Sequence, residues 1–181
     1  GWASPNNAEL AHNGECIMTL ATDLVSWWTL NESSGDRRDS HGSYNLTDTN
    51  TCGSATGKIG TAADFIAANS EFLINTSLQP NLGSTFSISL CTNPDDVNAD
   101  FKRTLSLQDD SNNFIQLYQF DTNGAFGVGG LDAGSSIQNL KKTGFSNGTW
   151  YHHVLTFSGT ALKWYVNASE ETTTDSNVTG A

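Results

Sequence analysis

Three aspartates, Asp36, Asp39 and Asp48, lie in a stretch rich in Gly, Ser and Asn. Carboxylates and loop carbonyls are the hard oxygen ligands that suit Ca²⁺, so this stretch is the candidate metal site, with Asp39 its best single residue. The competing assignment is that the same side chains cap turns through hydrogen bonds to the backbone. Acid pairs elsewhere raise the question of glycoside hydrolysis, which in its retaining form needs two carboxylates about 5 Å apart. Asp95-Asp96, Asp109-Asp110 and Glu170-Glu171 are sequence neighbours, and neighbours on a strand project to opposite faces. His152-His153 would suit a metal or acid–base work, but the same alternation sends the two imidazoles apart. His153 shares a face with Tyr151, Leu155 and Phe157, so a packed, hydrogen-bonded histidine is expected. No Ser or Cys sits in a nucleophile elbow and no glycine loop is built to cradle phosphate, so no catalytic residue is assigned.

Aromatic side chains supply the remaining chemistry. Trp27, Trp28, Tyr118, Trp150, Tyr151, Trp164 and Tyr165 could stack on apolar sugar faces while Asn, Asp and Gln take the hydroxyls. Most of these rings must be core, because the chain has few other large side chains. Trp27, on the opposite strand face from Trp28 and Leu30, is the candidate ligand-binding residue.

The elements that would hold these residues read as strands. Leu24 to Leu30 is apolar and β-rich, and Asn31-Glu32-Ser33-Ser34-Gly35-Asp36 ends it like a turn. Phe86 to Leu90 alternates strictly, the period of a half-buried strand. Phe114 to Phe120 runs into the Asp121-Thr122-Asn123-Gly124 turn and returns at Ala125 to Val128 as a hairpin. Trp150 to Phe157 is a strand, Ser158-Gly159-Thr160 a turn, and Leu162 to Val166 the partner, with Leu162, Trp164 and Val166 on one face. Strands every ten or so residues between Gly/Asn/Asp turns imply an all-β sandwich or barrel. Only Asn7 to His12 suggests a helix, closed by Asn13-Gly14.

Composition narrows the function classes. The 181 residues suit one domain, with residues 1–22 as a partly irregular extension and 23–181 as the sandwich. A net charge of −11 with eight Lys and Arg offers no basic footprint for nucleic acid. No apolar run is long enough to insert in a membrane. Cys16 and Cys52 could pair or remain free thiols, and Cys91 reads as a buried small hydrophobe. Six Asn-x-Ser/Thr sequons, at Asn31, Asn45, Asn75, Asn147, Asn167 and Asn177, are about what this composition yields by chance.

Several segments in order resemble laminin G-like modules of the concanavalin A-like lectin/glucanase superfamily, over residues 24 to 167. They are Leu24 to Gly35, Asp39 to Thr47, Gly57 to Phe65 with Glu71-Phe72-Leu73, Phe86 to Cys91, Gly148 to Val154, and Leu162 to Asn167. The resemblance implies a two-sheet antiparallel jelly roll like those of secreted bacterial proteins, adhesins and phage tail proteins. Such sandwiches often carry a structural calcium near the Asp39 loop, completed by an acid from C-terminal strands, and that ion is the one cofactor expected. The superfamily's glucanases carry Glu-x-Asp-x-x-Glu on one strand, and that signature is absent here. Two departures are expected to matter. Ala168 stands where the hairpin turn after Asn167 normally has Gly, so the turn should find its positive φ elsewhere or be of another type. The chain should also lack the family's last strands, leaving Leu24 to Leu30 with an edge that the first twenty residues or a second chain would cover.

The expected function is therefore that of a non-catalytic carbohydrate- or surface-binding module of a larger protein, secreted or on a cell or virion surface. Its partner would be a glycan or a cell-surface protein, with self-association through the uncapped sheet edge. A structural or assembly domain of the phage-fibre kind is the alternative, and a glycoside hydrolase stands third.

Overall fold

The computed structural model describes residues 22–78, 84–98, 102–119, 124–132, 134–136, 139–159 and 161–174. The extension 1–22 except Thr22, the helix expected at Asn7 to His12, and Cys16 lie outside the described residues. Four short strands come first: β1 (Thr47–Thr49), β2 (Gly53–Thr56), β3 (Thr61–Asp64) and β4 (Phe72–Ile74). Then follow β5 (Thr85–Thr92), β6 (Lys102–Asp110), β7 (Asn113–Gln119), β8 (Phe126–Asp132) and β9 (Ser135–Ser136). The last four are β10 (Leu140–Lys142), β11 (Tyr151–Ser158), β12 (Leu162–Val166) and β13 (Ser169–Glu171).

The expected two-sheet antiparallel sandwich is what the long strands form. One sheet runs β13-β12-β11-β5; the other runs β10-β8-β7-β6, with β9 also paired to β8. The side-chain alternation of β5, β11 and β12 sets the inner face. Phe86 and Leu90 from β5, Leu155 from β11, and Leu162, Trp164 and Val166 from β12 meet Ile115, Leu117, Phe126, Val128 and Leu140 of the other sheet. Trp164, Leu155 and Leu162 are fully buried, and burying each such leucine contributes about 2 kcal/mol. β7 is buried on both faces, since Gln116 and Tyr118, which alternate with its core residues, are also enclosed. Opposite them on β8 stand Gly129 and Gly127.

A seam joins the sheets beyond β13. Thr174 bridges to Leu140, the Lys141 N–H donates to the Thr173 carbonyl at 2.8 Å, and the Lys142 ammonium pairs with Glu171. The chain therefore pairs with β12 through β13 and then crosses to β10 of the opposite sheet.

Several expectations are corrected. Leu24 to Leu30 is not a strand: its one bridge is Trp28 to Asp39, and Leu30 takes a left-handed φ of 56° that ends extension. The Gly57–Phe65 and Glu71–Leu73 segments do not pair with each other; β3 pairs β2 and β4 pairs β1. Cys91 is exposed rather than buried. The alternation that turns Phe86, Ile88 and Leu90 inward necessarily turns Cys91 outward. At the β12–β13 hairpin, Ala168 itself takes the positive φ, 69°, after Asn167 at 50°, so the two-residue turn keeps its left-handed form without glycine.

Candidate functional site

Asp39 organises the loop that follows Trp27-Trp28. Its Oδ1 accepts backbone N–H groups from Trp27 (3.0 Å), His41 (3.0 Å) and Gly42 (2.9 Å). Its Oδ2 accepts the Tyr44 N–H at 3.0 Å and the Ser26 hydroxyl at 2.7 Å. Partial burial alone would raise its pKa; the Trp27, Gly42 and His41 N–H groups and the Ser26 hydroxyl outweigh this and hold the carboxyl well below the usual range. The Asp39 N–H donates to Asn45 Oδ1, and the Trp27 carbonyl accepts from Ser40 N–H. Trp28 turns inward and its indole N–H donates to the Tyr44 carbonyl at 2.7 Å. Trp27 turns outward and is 48% exposed, the one exposed ring among the described Trp and Tyr residues.

The three aspartates of the predicted metal site divide into two groups. Asp36 Oδ1 accepts the Asp48 N–H and Asp48 Oδ1 accepts the Cys52 N–H, both at 2.9 Å, while Asp39 faces the Trp27 loop. The Cys52 N–H, its main partner, holds the Asp48 carboxyl below its ordinary value. Asp39 and Asp48 cap local turns, and Asp36 ties the loop to the start of β1 across twelve residues. Among the described residues no three His, Cys, Asp or Glu side chains come together in a way that could hold a metal ion.

Beneath this loop lies a residue that sequence reasoning missed. Arg37 is wholly buried, and its guanidinium donates to the carbonyls of Gly35, Cys52 and Gly53. Hydropathy places arginine outside, and its acceptors are backbone atoms that carry no side-chain signature. Cys52 is a buried free thiol whose pKa is pushed up to about 11, first by burial and then by the Asp48 hydrogen bond and charge.

The remaining candidates separate as strand parity requires. His152 faces solvent and its Nε2 lies 2.8 Å from Ser89 Oγ. His153 is buried, its ring near-parallel to those of Phe145 and Trp164. Its Nδ1 accepts the Trp164 indole N–H at 3.3 Å, so its proton sits on Nε2, 3.0 Å from Thr92 Oγ1. Burial first, and the neighbouring His152 second, hold its pKa down to about 4. Glu170 pairs with Lys163 on the outer face, whereas Glu171 turns to Lys142 at the seam. Asp96 and Asp110 cap the N–H groups of Asn98 and Asn112.

Set beside known proteins, residues 67–180 match a family model described as the concanavalin A-like lectin/glucanases superfamily. No curated protein and no solved structure matches the chain.

Proposed function

The chain belongs to the concanavalin A-like lectin/glucanases superfamily, and from that membership we propose that it is a non-catalytic carbohydrate- or surface-binding module of a larger extracellular or virion protein. The observation that carries this reading is Trp27. A half-exposed indole costs solvation unless something covers it, and here the backbone that presents it is fixed on both sides by Asp39 and Ser40. A rigid aromatic next to hydroxyl and amide side chains is the arrangement that stacks on a sugar ring. Glu170 and Glu171 turn to different lysines, Lys163 and Lys142, and Asp96 and Asp110 are engaged with backbone N–H groups, which supports a binding role over hydrolysis. No helix among the described residues is long and apolar enough to cross a membrane.

The test is calorimetric titration with calcium, followed by a polysaccharide and glycan panel with and without chelator. Saturable binding that Trp27→Ala weakens about tenfold is expected. Loss in chelator would show that binding depends on calcium; absence of all glycan binding would overturn the reading.

A second reading, a structural or assembly domain, is favoured by a separate observation. Ile59 is 89% exposed, and Phe65, Ile66, Phe72 and Ile74 are each more than 40% exposed. Apolar groups so disposed suit burial between chains. Sedimentation of the full chain distinguishes the readings: self-association abolished by Ile59→Ser with Phe72→Ser would support assembly.

A further inference from the structure

Building on the assignment of Trp27 as the contact residue, we infer that the bound ligand is an uncharged pyranose and that acidic glycans are rejected, because the loop's anion-binding donors are already filled by Asp39. Backbone N–H groups that converge from a tight loop form a concave anion site. In this loop the N–H groups of Trp27, His41, Gly42 and Tyr44 converge, but on the protein's own carboxylate. A sulfate or uronate approaching Trp27 finds those four donors taken.

Nor can the carboxylate easily step aside. A Cβ placed on Gly42 would lie 2.6 Å from the Val25 carbonyl oxygen and 2.8 Å from Asp39 Oδ2, so the loop is closed as tightly as a glycine permits. Displacing Asp39 would strand the donors that hold the loop together, at a cost typical of unmade hydrogen bonds to a charged group.

The field around the indole acts in the same direction. Residues 22–50 contain Asp23, Glu32, Asp36, Asp39 and Asp48 against Arg37 and Arg38. Arg37 is wholly buried and engaged with three carbonyls, which leaves Arg38 as the exposed cation of the stretch. With the whole chain at −11, an anionic polymer meets repulsion at long range as well as at the loop. What the loop still offers is the indole face, the exposed Ser40, His41 and Ser43, and backbone carbonyls. Those groups are rich in acceptors and suit the hydroxyl donors of a neutral sugar.

The experiment pairs neutral polysaccharides (a β-glucan, a mannan, a galactan) with acidic ones (polygalacturonate, alginate, heparin), at low and at physiological ionic strength. Tryptophan fluorescence and calorimetry report binding, and melting temperature confirms that Trp27→Ala is folded. At least one neutral polymer is expected to bind with little salt dependence, to shift the fluorescence, and to lose about tenfold in affinity on Trp27→Ala. Acidic polymers are expected not to bind at either ionic strength. Acidic polymers binding as well as neutral ones would overturn the inference while leaving the glycan-binding reading intact. Neutral binding indifferent to Trp27→Ala would also overturn it, because the site would lie elsewhere. Binding of neither class would overturn the inference and the reading together.

Discussion

His153 shows how one buried side chain sets a pH limit. It accepts from Trp164 through Nδ1, so protonation there breaks that bond and places a charge among buried aromatic rings. Its folded pKa, about 4, lies below the unfolded value of 6.5, so the unfolded chain takes the proton first. Stability is therefore fully present above pH 6.5 and falls as pH drops toward 4, by about 3 kcal/mol. Urea unfolding at a series of pH values should show that slope, and His153→Phe should flatten it while lowering stability at pH 7. Parity made His153 legible in the sequence, as it did the outward Trp27. The same rule, applied consistently, would have turned Cys91 outward. Arg37 was not legible, because nothing in residue type announces three backbone carbonyls converging on a guanidinium.

Elements built on alternation and turn chemistry were the most readable. β11 and β12 lie within a residue of their expected positions and β5 within two, and Gly159 takes the positive φ, 87°, that its turn requires. Leu24 to Leu30 was not readable as irregular, because its composition is that of a strand and only tertiary hydrogen bonds to the Asp39 loop bend it. Two substitutions test the hairpins. Ala168→Gly removes a side chain from a left-handed position and is expected to stabilise the fold by about 1 kcal/mol, seen as a higher urea midpoint with unchanged slope. Gly130→Ala should do the opposite, since its Cβ would fall 2.1 Å from the Phe114 carbonyl oxygen across the β7–β8 ladder. A loss of several kcal/mol, or failure to fold, is expected, with soluble yield and thermal melting as the measures. The sequon asparagines have a structural use as well. Asn31, Asn45, Asn147 and Asn167 each accept a backbone N–H from another segment, and Asn75 caps Ser77 and Leu78.

Across the whole molecule, burial is uneven. The hydrophobic cluster is drawn from Val97 to Val166, whereas in residues 22–78 the buried side chains are Arg37 and Cys52. Among the described residues, the exposed large apolar side chains show the reverse bias, lying between Leu24 and Ile74. Native-state hydrogen exchange should accordingly give near-global protection to amides of β7, β8, β11 and β12, and much lower protection to β1–β4. Uniform protection would mean that the short hairpins are held by more than their own hydrogen bonds. The two-sheet architecture was legible because it follows from period and turns. The Trp27 loop was legible only in part, because the Asp39 hydrogen bonds that shape it join residues 13 positions apart in the chain.

The seam beyond β13 also has a mechanical meaning. If the module is part of a longer chain under tension, as proposed above, force entering at Thr174 meets the Leu140 bridge, then the Thr173–Lys141 hydrogen bond, then the Lys142–Glu171 pair, all on the outer strand β10, before it peels β13 from β12. These contacts sit in series, so they would yield one at a time and lengthen the chain slightly before the β12–β13 ladder opens. The seam would then work as a shock absorber for the two sheets it joins.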